Sequence, residues 1–349
     1  MRFKGSLLTF LAGLLLVVFG FSGVSAAASK LYVVNNSDNT VSVIDLASKN
    51  LVATIDVGSS PTGISYNPAD KKAYVVNRGD NTVSIIDTLN HLSSGTANVG
   101  PYPWYVAADP TTHLIDLNQW IKGLPVNYIY VTSPVNNSLT VLITTFDGLL
   151  TLPGGSIKTD LPPGIGNFNV ALDTADQMAY VVSCHNNIIS AVDLKEKKMT
   201  GKVEGLDNTD SFVGVGVDTG LKKVYAASDK VDVMPVVDAK SMEVVAKVPV
   251  GNTAMNVIVD SAAHKAYVMN RGSNTVSVVD TKKDQVEATV KVGNEPISAA
   301  INDGKVYVTN CGSNSISVID SMTNSVVDTI PLPGAKPYRG VCPWGIAVF

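Results

Sequence analysis

A five-residue string with tyrosine in second place occurs seven times along the chain, and no other feature restricts the fold as much. Leu31-Tyr-Val-Val-Asn35 returns as Ala73-Tyr-Val-Val-Asn77, Ile129-Tyr-Val-Thr-Ser133, Ala179-Tyr-Val-Val-Ser183, Val224-Tyr-Ala-Ala-Ser228, Ala266-Tyr-Val-Met-Asn270 and Val306-Tyr-Val-Thr-Asn310. The tyrosines are spaced by 42, 56, 50, 45, 42 and 40 residues, which defines a forty-odd-residue module with insertions in the third and fourth copies. A period of this size belongs to a solenoid or a propeller.

Each module divides into short β-branched runs separated by Asn, Asp, Gly and Ser turns. In the first copy, Tyr32 to Asn35, Thr40 to Asp45 and Leu51 to Val57 read as three strands, with Val41 and Val43 on one face and Ser42 on the other. A fourth run is rich in Gly, Ala and Val, as in Phe212-Val-Gly-Val-Gly216 and Pro343-Trp-Gly-Ile-Ala-Val348. Such small residues suit the strand nearest a crowded axis. The expected fold is all-β, a seven-bladed β-propeller of four-stranded antiparallel blades spanning residues 27–349. The repeat starts on a second strand and ends on a first-type strand, so residues 343–349 should pair with the N-terminal blade and close the ring. A row of aspartates ends the third strands (Asp45, Asp87, Asp193, Asp238, Asp280 and Asp320) and is assigned to turn formation rather than metal binding. The insertion 109–126 in the third blade is expected to form a short helix with Leu114, Leu117 and Ile121 on one side, as a decorated loop or a lid.

Tyr307-Val-Thr-Asn310, and the longer Tyr-Val-x-Asn-x-Gly-x-Asn-x-Val-Ser-Val-x-Asp of 267–280 and 307–320, resemble the YVTN family of β-propeller repeat proteins across nearly the whole repeat region. The resemblance implies a propeller, and a protein of the cell surface or exterior. It does not imply one activity, since related propellers include lactonases and a single-stranded-DNA-binding protein, and function has to be argued from sites.

The first residues, Met1-Arg-Phe-Lys4, are basic, Leu7 to Val24 is almost wholly apolar, and Val24-Ser-Ala-Ala27 supplies a small-residue exit. This reads as a secretory signal peptide over 1–26, with no stable membrane insertion after its removal. Taking 26 residues from 349 leaves 323, and losing Arg2 and Lys4 leaves 24 basic against 30 acidic side chains, a net charge of −6. That charge opposes nucleic-acid binding.

Loops between second and third strands, and loops between blades, should emerge together on the face where propellers receive ligands. They offer Asn77, Arg78, Tyr102, Trp104, His185, Asn270, Arg271, Arg339 and Trp344 as binding candidates, a set suited to a polar or anionic group beside an apolar ring. Cys311 and Cys342 should lie on that face in neighbouring blades, and a disulfide between them would staple the terminal strand. Cys184 remains, more a small buried residue than a metal ligand. The four histidines have no metal-type spacing, so no metal site and no cofactor are expected, and no catalytic motif is present. The leading reading is a non-catalytic secreted, periplasmic or surface-bound propeller that presents a loop face to a protein partner, a surface polymer or a small molecule. The alternatives are a lactonase-like hydrolase or lyase using His185 with Arg78 or Arg271, and a single-strand binder stacking bases on Tyr102, Trp104 and Trp344.

N-terminal sequencing of the exported protein should begin at Ala27; a mature chain still starting at Met1 would show that the leader is retained.

Overall fold

A computed structural model of the chain describes residues 29–116, 122–135, 138–145, 151–158, 167–184, 187–203, 211–332 and 342–349. Seven antiparallel sheets form the blades. Six have four strands, and the third adds a short fifth strand, His113–Ile115, beside Leu124–Ser133. The expected helix is therefore corrected for its first part: residues 113–115 extend and pair with 124–126 because the long second strand leaves backbone groups there to satisfy. Leu117 and Ile121 lie outside the described residues.

Period-two alternation places both faces of most strands in a core. On Lys30–Asn35, Tyr32 and Val34 pack with Ile64, Ala73 and Val75 of the second blade. Leu31 and Val33 pack the other way, on Tyr307, Ile316 and Val318 of the seventh. The core is thus seven interblade layers, and the low charged fraction of 16% follows from having so few strand faces in water. All seven repeat tyrosines are buried.

The asparagine that ends the repeat string is structural. Asn77 Nδ2 donates to Thr82 Oγ1 at 2.9 Å and to Ser84 Oγ at 2.8 Å, tying the second strand to the third. Asn270 does the same with Thr275 and Ser277 at 3.0 and 2.9 Å, and Asn35 and Asn310 repeat the pattern. Glycine is needed at the facing loop position: a Cβ on Gly58 would stand 2.6 Å from Asn77 Cγ, and one on Gly251 2.8 Å from Asn270 Cγ.

Aspartates end the third strands as turn formers. Asp238 accepts from Lys240 N at 3.0 Å and Ser241 N at 2.7 Å, and Asp320 from Met322 N and Thr323 N at 3.0 and 2.8 Å. These bonds hold Asp238 and Asp320 below the usual carboxylate range, and Lys283 does so for Asp280.

Pro343–Val348 pairs antiparallel with Lys30–Asn35, so the last strand is the innermost of the first blade. Cys311 and Cys342 form a disulfide across 31 residues, with Cα atoms 4.5 Å apart.

A loop of that size is worth about 3–4 kcal/mol in the chain-entropy model. Reduction, or Cys342→Ser, should lower the thermal and urea midpoints, and unchanged midpoints would assign the bridge no stabilising role. The three depressed aspartates bind fewer protons folded than unfolded. Their contribution is complete above about pH 5 and is lost as pH falls through their lower folded values. Urea midpoints should accordingly fall between about pH 5 and about pH 3, and Asp320→Asn should show a smaller acid-induced drop than the parent.

Candidate functional site

Six of the seven inner strands enter their blades through an irregular step in pairing. In the fourth blade Asn167 pairs with Ser183 and Asn169 with Val182, which leaves Phe168 as the extra residue. The same step isolates Val213, Met255 and Ile297 in the next three blades. It falls within Thr62-Gly63 in the second blade and Trp344-Gly345 in the first. In the third, Trp104 stands just ahead of Val106–Ala108, its N–H bonded to Thr132 O at 3.0 Å. A bulge re-aims the side chain it carries. Here one residue per blade faces the axis, and together they line a cavity of about 200 Å³. Drug-sized sites span roughly 300–1,000 Å³, so this one suits a smaller molecule.

Aromatic rings form one side of the wall. Trp104 lies 4.9 Å from Phe168 and 5.8 Å, edge-on, from Trp344, ring centre to ring centre. The small Thr62, on the blade between them, lets the two tryptophans meet. Threonine hydroxyls of the preceding blade fix the backbone under each ring: Thr62 Oγ1 donates to Trp104 O at 2.7 Å, Thr132 to Phe168 O at 3.2 Å and Thr309 to Trp344 O at 3.2 Å. Val213, Met255 and Ile297 complete the circle.

The next residue of each inner strand builds the floor. Asn169 Nδ2 donates to Asn256 Oδ1 at 3.1 Å and Asn256 Nδ2 to Ser298 Oγ at 3.3 Å, each Oδ1 also accepting the following backbone N–H. Tyr105 joins them from the third blade. Burial pushes its phenol up, while the Asn256 amide and Ser298 hydroxyl pull the other way. Gly63 and Gly214 stand at this level because side chains would collide: a Cβ at 63 would lie 3.2 Å from Tyr105 Cα, and one at 214 would lie 2.5 Å from Asn256 Cα.

Among the described lining residues one carries a charge, Asp229. Its Oδ1 is buried with no hydrogen-bond partner, and Oδ2 has Lys230 Nζ at 4.0 Å, beyond hydrogen-bond reach. The carboxylate is felt next door: burial and then the Asp229 charge push the Cys184 thiol up to about 12, which keeps it protonated at neutral pH. Cys184 is half-buried and forms no disulfide.

The structure therefore separates the sequence candidates. Trp104 and Trp344 meet in the cavity wall. Arg78 stacks on Trp104, Cζ 4.9 Å from the ring centre, without lining the cavity. Arg271 is paired with Glu295 at 3.0 Å. Tyr102 is 61% exposed on an interblade loop, its N–H bonded to Asn81 Oδ1. Asn77 and Asn270 are fully buried between strands, their Nδ2 groups committed as described above. His185 and Arg339 lie outside the described residues. Sequence reasoning passed over Tyr105, Phe168, Asn169 and Asp229 as site residues. Aligning the copies finds them: Phe168 shares the place of Trp104 and Trp344, and Asp229 the place of Arg78 and Arg271. Among the described residues no group of three His, Cys, Asp or Glu side chains could hold a metal ion.

Several solved structures share the architecture. A chain of hydrazine synthase from Kuenenia stuttgartiensis superposes with a TM-score of 0.67 at 16% identity, over 83% of this chain and 92% of that one. Apo AztD from Citrobacter koseri gives 0.59 at 15% identity, over 92% and 98%. The dihydro-heme d1 dehydrogenase NirN, solved in complex with DHE, gives 0.61 at 10%, over 91% and 74%. No protein-family model matches the chain, and no curated protein matches it in sequence. At these identities the likeness is one of fold: the chain is a seven-bladed β-propeller.

Proposed function

We propose that the protein is an extracytoplasmic binding propeller that holds a small organic molecule in its axial cavity without transforming it. The observation that carries this reading is the convergence of one residue from the head of each inner strand on one aromatic-walled cavity. Rigid aromatic walls with a few fixed polar groups are the usual make-up of a small-molecule site. The floor amides are already bonded to one another, which pre-organises the site and lowers the ordering cost of binding. Export is supported by the leader-like N-terminus, by the resemblance to the YVTN family and by the Cys311–Cys342 bridge, since disulfides persist in oxidising compartments.

A screen of small organic compounds by thermal shift and tryptophan fluorescence should yield binders, because Trp104 and Trp344 report directly on the cavity. A compound at 100 times its Kd should stabilise the fold by about 2.7 kcal/mol. Trp104→Ala and Trp344→Ala should each weaken it at least tenfold with an unchanged circular dichroism spectrum. Undiminished affinity in both variants would place the site elsewhere, and a product detected by mass spectrometry would replace binding by catalysis.

A further inference from the structure

We infer that the axial cavity selects a protonated amine attached to an apolar or aromatic group; this rests on the binding reading above. Asp229 is the one charged residue among its described lining residues, and it enters the wall on the fifth blade. It is poorly neutralised. One oxygen is buried without a partner; the other, on a side chain 27% exposed, has Lys230 Nζ at 4.0 Å, an ammonium on a side chain 62% exposed that solvent screens. A carboxylate in that position, beside apolar walls of low dielectric, favours a cation that can also donate N–H bonds.

The rest of the wall agrees with that charge. Trp104, Trp344 and Phe168 line the cavity, Trp104 already carrying the Arg78 guanidinium over its ring, and aromatic faces attract cations most strongly where water is excluded. The two described arginines that favour an anion on sequence grounds are engaged elsewhere. Arg271 neutralises Glu295, and Arg78 rests on Trp104 without lining the cavity. The floor supplies amide and hydroxyl groups with no charge.

The test is a calorimetric titration of the purified protein with three probes of similar size: phenethylammonium, its neutral counterpart 2-phenylethanol, and phenylacetate. Phenethylammonium should bind at least tenfold tighter than either of the others. Asp229→Asn should remove at least a tenfold share of that affinity and leave 2-phenylethanol unchanged. Should that variant fail to fold, Asp229→Glu keeps the charge and should retain the order of the probes. Equal affinity for the three, preference for phenylacetate, or indifference to Asp229→Asn would overturn the amine assignment while leaving a neutral or anionic ligand in the same cavity. If none of the probes binds, the amine assignment falls by itself, and the binding reading falls with it only if the wider compound screen also finds no ligand sensitive to Trp104→Ala or Trp344→Ala.

Discussion

The pairing of Pro343–Val348 with Lys30–Asn35 is the contact on which the rest of the structure depends. It joins strands more than three hundred residues apart and gives the first blade its innermost strand. Ile346 then packs towards the seventh blade and Ala347 towards the second, so one terminal strand completes two interblade layers. It also carries Trp344 and Gly345 into the cavity wall. At Gly345 the approach is too close for any side chain, with a Cβ there falling 2.7 Å from Thr62 O. Cys342, bonded to Cys311, anchors the strand at its entrance, where leaving the ring would open an edge and remove a wall of the site together.

Near-identical blades would ordinarily give a near-symmetric channel. The bulge at the head of six of the seven inner strands breaks that equivalence without disturbing the sheets, because the extra residue is free to vary while its neighbours keep their ladder bonds. Aromatic residues occupy that place in the first, third and fourth blades, aliphatic ones in the fifth to seventh, and threonine in the second. The result is a sided cavity. A single step in register, repeated around the ring, converts a structural repeat into a site with direction.

Several features were readable from the chain because their causes are local. Alternation of valine with serine or tyrosine sets which face of a strand is buried, and an aspartate at a strand end captures the next turn's N–H groups, as at Asp320. The disulfide was also legible, since the strand order alone puts Cys311 and Cys342 on one face of adjacent blades. Other residues misled. Asn77 and Asn270 look like loop amides available to a ligand, yet each is buried by hydroxyls five and seven positions further along. Leu114 fits a helical period, but the extended partner at 124–126 draws residues 113–115 into a strand.

By itself the sequence determined the number of blades, the order of strands, the closing of the ring and the turns, all of which follow from periodicity and from residue types that act within a few positions. Only the tertiary structure decided which side chains meet on the axis. Thr62, Trp104, Phe168 and Trp344 come from four blades, and their meeting depends on ring closure and on the direction each bulge imposes. The charge of the site was decided there too. Arg78, Asp229 and Arg271 hold equivalent places in their copies, but stacking takes one, an ion pair takes another, and the carboxylate is left in the wall.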